Sequence, residues 1–219
     1  MIPHNRILEG DCTQLLKSLP NNSVDLVITD PPYLVNYRDR DGRRILNDDN
    51  PANVLAAFSE LYRVLKQDTL CVSFYGWGSA GAFLNAWTEA GFKPVDHLVW
   101  CKNYASSTGF FDRHHGQAYV LAKGRPPKPQ SCLADVRPWR YSGNKCHPTE
   151  KAVSVTQPLI ETLSNVGDVV LDPFAGSGST CVAAALSGRR YIGMELEARY
   201  CELARKRLAG AERFQRGCA

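Results

Sequence analysis

The chain has 219 residues, 44% of them hydrophobic, and a formal net charge of +4 at pH 7. That length suits one domain, residues 1–219, with a sizeable core, and the apolar share excludes a disordered or fibrous chain. No apolar run reaches membrane-spanning length, and Met1-Ile2-Pro3-His4-Asn5-Arg6 lacks the apolar centre of a signal peptide. A cytoplasmic protein with no membrane partner is therefore expected. The eight cysteines are scattered, with no Cys-x-x-Cys pair, so reduced thiols are expected rather than a zinc ribbon or redox motif. Cys132, Cys146 and His147 are the candidate metal ligands; reduced thiols partly in the core are favoured, and no metal is expected. The small positive excess permits binding to a polyanion without demonstrating it.

In chain order, Arg6-Ile7-Leu8-Glu9 reads as a short strand, followed by Gly10-Asp11 and a helix through Leu15, Leu16 and Leu19 that Pro20-Asn21-Asn22 breaks. Val24 to Thr29 is a second strand, running into Asp30-Pro31-Pro32-Tyr33. Leu34 to Asn50 is a polar loop. After Pro51, Val54, Leu55, Phe58, Leu61, Tyr62 and Leu65 recur at helical spacing. Leu70 to Tyr75 is a strand, Ala80 to Ala90 a helix ended by Gly91, and Val95 to Trp100 and Ala118 to Ala122 are further strands. Gly124-Arg125-Pro126-Pro127-Lys128-Pro129 is unfit for a central strand, and the stretch to Cys146 reads as irregular, basic and aromatic. Thr149 caps a predicted helix reaching about Ser164. Val169 to Leu171, a helix from about Ser179, Tyr191 to Met194 and a helix from about Glu197 to Leu208 follow. The tail, 210–219, is expected to fray.

Strands alternate with helices, which predicts an α/β fold with a doubly wound, mostly parallel sheet. Asp11, Asp30, Asp172 and Glu195 each lie just after an apolar strand. In a parallel sheet those strand ends share one edge, where ligands bind near the reversal of strand order. Gly176-Ser177-Gly178 permits a tight turn, and the helix after it offers N–H groups and a positive dipole end to an anion. Glu195 follows the first of these glycines at about the twenty-residue distance typical of an acid that binds ribose hydroxyls. That spacing points to a nucleoside cofactor without separating NAD from S-adenosylmethionine. Asp30-Pro31-Pro32-Tyr33 separates them. Two prolines present carbonyls but no N–H, Asp30 adds an acceptor, and Tyr33 can stack on a ring. Two acceptors beside a stacking ring hold an aromatic amine and offer nothing to a hydride acceptor.

These residues resemble the amino-group DNA methyltransferases of the permuted, β class, in which Asp-Pro-Pro-Tyr precedes the glycine motif Asp172-Pro173-Phe174-Ala175-Gly176-Ser177-Gly178-Ser179-Thr180. Further matches are Gly10-Asp11-Cys12, Phe74-Tyr75, His147-Pro148-Thr149-Glu150-Lys151 and Tyr191-Ile192-Gly193-Met194-Glu195, so the similarity covers most of residues 5 to 208. The resemblance implies a circularly permuted, Rossmann-like sheet of seven strands that begins at the usual third strand. The implied order is 3-2-1-4-5-7-6, with Ala118 to Ala122 antiparallel. It implies S-adenosyl-L-methionine as cofactor, with Glu195 on the ribose, Asp11 on the adenine amino group, Gly176, Ser177 and Gly178 beneath the methionine part, and Lys151 at its carboxylate. Asp30, Asp172, Phe174, Ser179 and Thr180 complete the implied cofactor set. Asp30, Pro31, Pro32 and Tyr33 would carry direct transfer to the N6 amine of a flipped adenine in DNA. Cytosine-N4 relatives more often begin the tetrapeptide with Ser.

The segment 124–146 is short for target recognition. It contributes Arg125, Lys128, Arg137, Trp139 and Arg140 as candidate DNA contacts, since cations grip phosphate and aromatics stack on bases. Arg38, Arg40 and Arg43 form a second candidate group, and Phe110, Phe111, Arg113, His114 and His115 a third. So little recognition surface leaves a promiscuous enzyme, a very short site or a homodimer open, and a partner restriction nuclease is not readable from one chain. Cytosine-N4 methylation, amino methylation of RNA or protein, and a non-catalytic, cofactor-binding nucleic-acid-binding subunit are the competing readings; a NAD-dependent dehydrogenase is the weakest.

Overall fold

The computed structural model describes residues 4–35, 42, 46–107, 109–139 and 151–217, with 212–217 described by their backbone alone. Its strands are β1 (Arg6–Glu9), β2 (Val24–Thr29), β3 (Leu65–Phe74), β4 (Lys93–Cys101), β5 (His115–Lys123), β6 (Val136–Pro138), β7 (Val169–Asp172) and β8 (Arg190–Glu195). Its helices are α1 (Cys12–Leu15), α2 (Pro51–Val64), α3 (Ala80–Glu89), α4 (Val153–Leu163), α5 (Ser179–Leu186) and α6 (Ala198–Gly217). All strands join one eight-stranded sheet in the order β1-β8-β7-β2-β3-β5-β4-β6. β5 runs antiparallel to both β3 and β4, and the other pairings are parallel.

The first seven positions of that order reproduce the implied 3-2-1-4-5-7-6. The eighth strand corrects the expected count of seven: Val136–Pro138, read from sequence as irregular, pairs in parallel with Val99–Cys101. Three residues, the last a proline, carry too little periodicity to be seen in sequence. α4 also begins later than expected, at Val153 with Ala152 in the capping position; Thr149 lies outside the described residues. α6 continues past Leu208 to Gly217.

Alternation along the strands splits the core into two layers. Leu26, Ile28, Val72 and Val170 pack with α4, α5 and α6 on one face; Val27, Cys71, Val169 and Leu171 pack with α1, α2 and α3 on the other. At the edge away from the strand carboxyl ends, Lys123 is buried and donates to Asn22 Oδ1 (2.9 Å), Tyr62 O (2.7 Å) and Leu65 O (2.6 Å). Asp25 takes Lys66 Nζ at 2.5 Å and Val169 N at 2.9 Å. Those bonds tie β2 to both neighbours and fix the register that delivers Asp30 and Asp172 to one level. Among the described residues no helix is long and apolar enough to cross a membrane.

Gly178 caps α5 with a left-handed φ of 81°. A Cβ there would lie 2.8 Å from Ala204 Cβ and 3.3 Å from Ala204 Cα on α6. Its glycine requirement therefore has two sources, backbone hand and helix contact. Gly178→Ala should lower unfolding stability by roughly 2–4 kcal/mol in urea titrations; a loss within experimental error would contradict the close α5–α6 approach.

Candidate active site

β1, β8, β7 and β2 are adjacent and parallel. Their carboxyl ends carry Asp11, Glu195, Asp172 and Asp30 in the same spatial order. A cleft of about 240 Å³ opens there, lined among others by Asp11, Asp30, Tyr33, Lys151, Phe174, Gly176 and Glu195. Asp30 to Tyr33 and Gly176, about 140 residues apart in sequence, thus line one cavity.

Each carboxylate is held differently. Asp11 caps α1, its Oδ1 accepting from Thr13 N (2.7 Å) and Thr13 Oγ1 (2.6 Å). Glu195 accepts from Gly176 N through Oε2 and from Glu197 N through Oε1, each at 2.8 Å. These bonds orient its carboxylate toward the cleft, while burial raises its pKa above the usual carboxylate value. Asp172 is 3% exposed and does not line the cleft. Burial pushes its pKa up to about 7; Thr180 and the Phe174 N–H, at 3.1 Å from Oδ1, oppose that rise, and the charges of Asp30 and Glu195 add to it.

The Asp30–Tyr33 turn rests on the loop after β3. Ser79 Oγ donates to Tyr33 O at 2.6 Å, and a Cβ on Gly76 would stand 2.9 Å from Tyr33 Cβ. Leu34, at φ 62°, turns the chain back so that its N–H reaches Asp48 Oδ1 at 2.8 Å. Tyr33 OH donates to Asp30 Oδ1 at 2.7 Å. Lys151 Nζ donates to Asp30 Oδ2 and, at 3.2 Å, to Tyr33 OH. The Lys151 ammonium lies 4.6 Å from the Phe74 ring centroid, 5.5 Å from that of Tyr33 and 5.6 Å from that of Trp139. Lys102 Nζ sits 4.8 Å from the centroid of the same Trp139 ring. Burial lowers the Lys102 pKa, with Lys151 lowering it further and Asp30 opposing.

The remaining sequence candidates divide plainly. Ser177, Gly178, Ser179 and Thr180 do not line the cleft. Ser177 and Ser179 instead accept from Arg207 Nη1 on α6, at 2.7 Å and 3.2 Å to their hydroxyls. Trp139 reaches the site, packing over Gly116 with its backbone N–H on Cys101 O at 2.7 Å, and Arg137 lies on β6 beside Trp100. Arg125 follows the far end of β5, its N–H bonded to Asp68 Oδ1 at 2.7 Å. The segment that includes Lys128 therefore starts at the edge opposite the cleft and returns to it along β6. Arg38, Arg40, Arg43 and Arg140 lie outside the described residues, as do Cys146 and His147. Sequence reasoning missed Gly76, Ser79 and Lys102. Lys102 was signalled by its place one residue after a strand end, the position that singled out Asp30.

A parallel sheet with carboxylates on its carboxyl edge, a glycine turn beside an oriented ribose-type acid, and an amine acceptor in the same cleft define an α/β enzyme that couples a nucleoside cofactor to an amine. The family model described as DNA methylase matches residues 24–206, and the chain belongs to that family. It is 52% identical over 216 residues to YubD of Escherichia coli (strain K12), covering 98% of this chain and 95% of that protein. It is 30% identical over 256 residues to the DNA adenine methyltransferase YhdJ of the same organism, covering 95% and 84%. The solved M1.HpyAVI–SAM complex superposes with a TM-score of 0.73 at 25% identity, covering 93% of this chain and 98% of that one.

The Asp172 environment sets a pH dependence. Its folded pKa of about 7 lies above the unfolded value of about 3.9, so folding favours its protonated form. The stability it contributes is complete below about pH 4 and is lost as pH rises through about 7. Asp172→Asn keeps an acceptor for the Phe174 N–H and removes that loss. The variant should gain stability relative to the parent progressively from pH 4 to 7.5 in urea unfolding; a pH-independent difference would show that Asp172 ionises freely in the folded protein.

Proposed function

We propose that this DNA methyltransferase transfers a methyl group from S-adenosyl-L-methionine directly to the exocyclic N6 amine of adenine flipped out of DNA. The carrying observation is the shared cleft: Asp30 and Tyr33 face the same cavity as Glu195, Gly176 and Phe174. The donor set fits the cofactor. Glu195 spends one backbone bond per carboxylate oxygen and retains lone pairs for two vicinal hydroxyls. Asp11 offers a second acceptor, and the surplus of carboxylates suits a cationic ligand.

Bound, S-adenosyl-L-methionine supplies an electrophilic methyl carbon on a sulfonium. The chain's own residues prepare the nucleophile. Asp30 and the Pro31 carbonyl accept hydrogen bonds from the target amine, drawing its lone pair out of ring conjugation and toward the methyl. Pro31 and Pro32 fix the backbone so that no N–H competes. Positive charge grows on the nitrogen during transfer, and the Asp30 carboxylate stabilises it. Tyr33 stacks on the extruded base, held by Gly76 and Ser79 behind it. Lys151 donates to the oxygen that the target amine needs, so its ammonium moves off Asp30 when the amine arrives; the cofactor carboxylate is its proposed second partner. The leading Asp and the likeness to YhdJ support adenine over cytosine.

Incubation with labelled S-adenosyl-L-methionine and DNA, RNA or protein, followed by digestion, should place the label on N6-methyldeoxyadenosine. Label on N4-methyldeoxycytidine would move the assignment to cytosine, label only in RNA or protein would remove DNA as substrate, and no label would leave a cofactor-binding subunit. Asp30→Ala should cost on the order of 10²–10³ in turnover while cofactor binding survives; an unchanged rate would take Asp30 out of the mechanism. Tyr33→Ala should raise KM for DNA more than Tyr33→Phe, and equal effects would argue against stacking. Lys151→Met should weaken cofactor binding about tenfold or more by calorimetry; unchanged affinity would exclude contact with the cofactor carboxylate.

A further inference from the structure

The β4–β5 hairpin carries an apolar tip that the fold does not use. Phe110 is 103% exposed and Phe111 85% exposed. Both sit on a connection closed by its own backbone bonds: Lys102 N to His114 O at 2.6 Å, Arg113 N to Ser107 O at 3.0 Å and Gly109 N to Phe111 O at 3.2 Å. β4 pairs with β5 from Leu98↔Ala118 out to Cys101↔His115, whereas β3 ends at Phe74↔Ala118. The hairpin therefore overhangs the carboxyl edge by three residue pairs, roughly 10 Å, before its loop begins. That edge is the one that carries Asp30.

The overhang is joined to the catalytic loop. The Arg113 guanidinium stacks 4.2 Å from the Trp77 ring centroid, Trp77 follows Gly76, and Gly76 is the seat of Tyr33. Lys102 starts the hairpin beside Trp139 and feels the Asp30 charge. Lys102 and Arg113 thus flank the overhang below the tip, with Asp112 as the opposing charge. Two solvated phenylalanines on an overhang flanked by Lys102 and Arg113, beside the Asp30 cleft, match one partner, a duplex whose base has been removed from the stack. The gap so left is apolar, one aromatic ring thick and bounded by phosphates. Phenylalanine is among the side chains that fill such steps, and extrusion of a paired base costs a few kcal/mol that filling the gap offsets.

We infer that Phe110 and Phe111 form a wedge that enters duplex DNA and occupies the space vacated by the target base. The inference rests on the proposed reaction on DNA. The wedge is needed only where a stack must be opened, so native and heat-denatured DNA separate it from catalysis. With labelled S-adenosyl-L-methionine and genomic DNA lacking the modification, the double variant Phe110→Ala/Phe111→Ala should lose about tenfold or more of its activity on native DNA. Its activity on denatured DNA should stay within about twofold of the parent. Phe110→Leu/Phe111→Leu, which keeps apolar bulk, should recover much of the native-DNA rate. Equal losses on both substrates, or no loss on native DNA, would overturn the wedge. A parent protein that labels neither DNA would overturn the reaction itself, and the wedge with it.

Discussion

Four neighbouring parallel strands that end in carboxylates impose the central constraint on this molecule. Like charges at one sheet edge repel, and in a half-buried cleft the repulsion is poorly screened. The fold answers with a different device at each position. Asp11 spends an oxygen on a helix cap, Glu195 takes two backbone N–H groups, Asp30 takes Lys151 and the Tyr33 hydroxyl, and Asp172, the one that is buried, has its pKa pushed up to about 7. What remains is a cleft that prefers a cation. A sulfonium satisfies that preference.

The resting arrangement at Asp30 has a second consequence. An ammonium donating to a carboxylate amid aromatic rings resembles an amino group poised for transfer: a nitrogen with N–H groups, held by Asp30 and flanked by Tyr33. Lys151 therefore keeps the acceptor geometry in place without substrate, and the desolvation cost of an unpaired Asp30 is avoided. The target amine carries no charge and cannot replace the ion pair energetically by itself. On the proposed reading, the exchange needs a second anion for Lys151, the part assigned to the cofactor carboxylate.

The fold and the outline of the site were legible in the sequence for identifiable reasons. Val24 to Thr29 is apolar except for Asp25 and Thr29, runs into the Asp-Pro-Pro turn and matches β2 to the residue. Asp30 and Glu195 announced themselves by standing at strand ends. The roles of Ser177, Gly178 and Ser179 were harder to read, because a glycine-rich turn looks the same whether it faces a ligand or another helix; Ala204 and Arg207, the residues that decide, lie on α6, far along the chain. The bond from Lys151 to Asp30 and the seat of Tyr33 on Gly76 were invisible for the same reason: local pattern encodes an element, not the element that packs against it. Arg125 illustrates the reverse. Its charge suggested DNA, but the direction of β5 carries it to the edge away from the cleft.

That direction reorganises the question of where DNA is gripped. One antiparallel strand sends the start of the segment after Lys123 to the wrong edge, and only the return along β6 brings Arg137 and Trp139 back beside Trp100 and Lys102. Cationic and aromatic side chains on the described part of the catalytic edge are therefore concentrated on the β4–β5 overhang, β6 and the turn at Trp77. These are near neighbours, joined by Arg113 on Trp77 and by Lys102 on Trp139. On the proposed reading, a base brought to Asp30 meets these side chains first, at the catalytic edge itself.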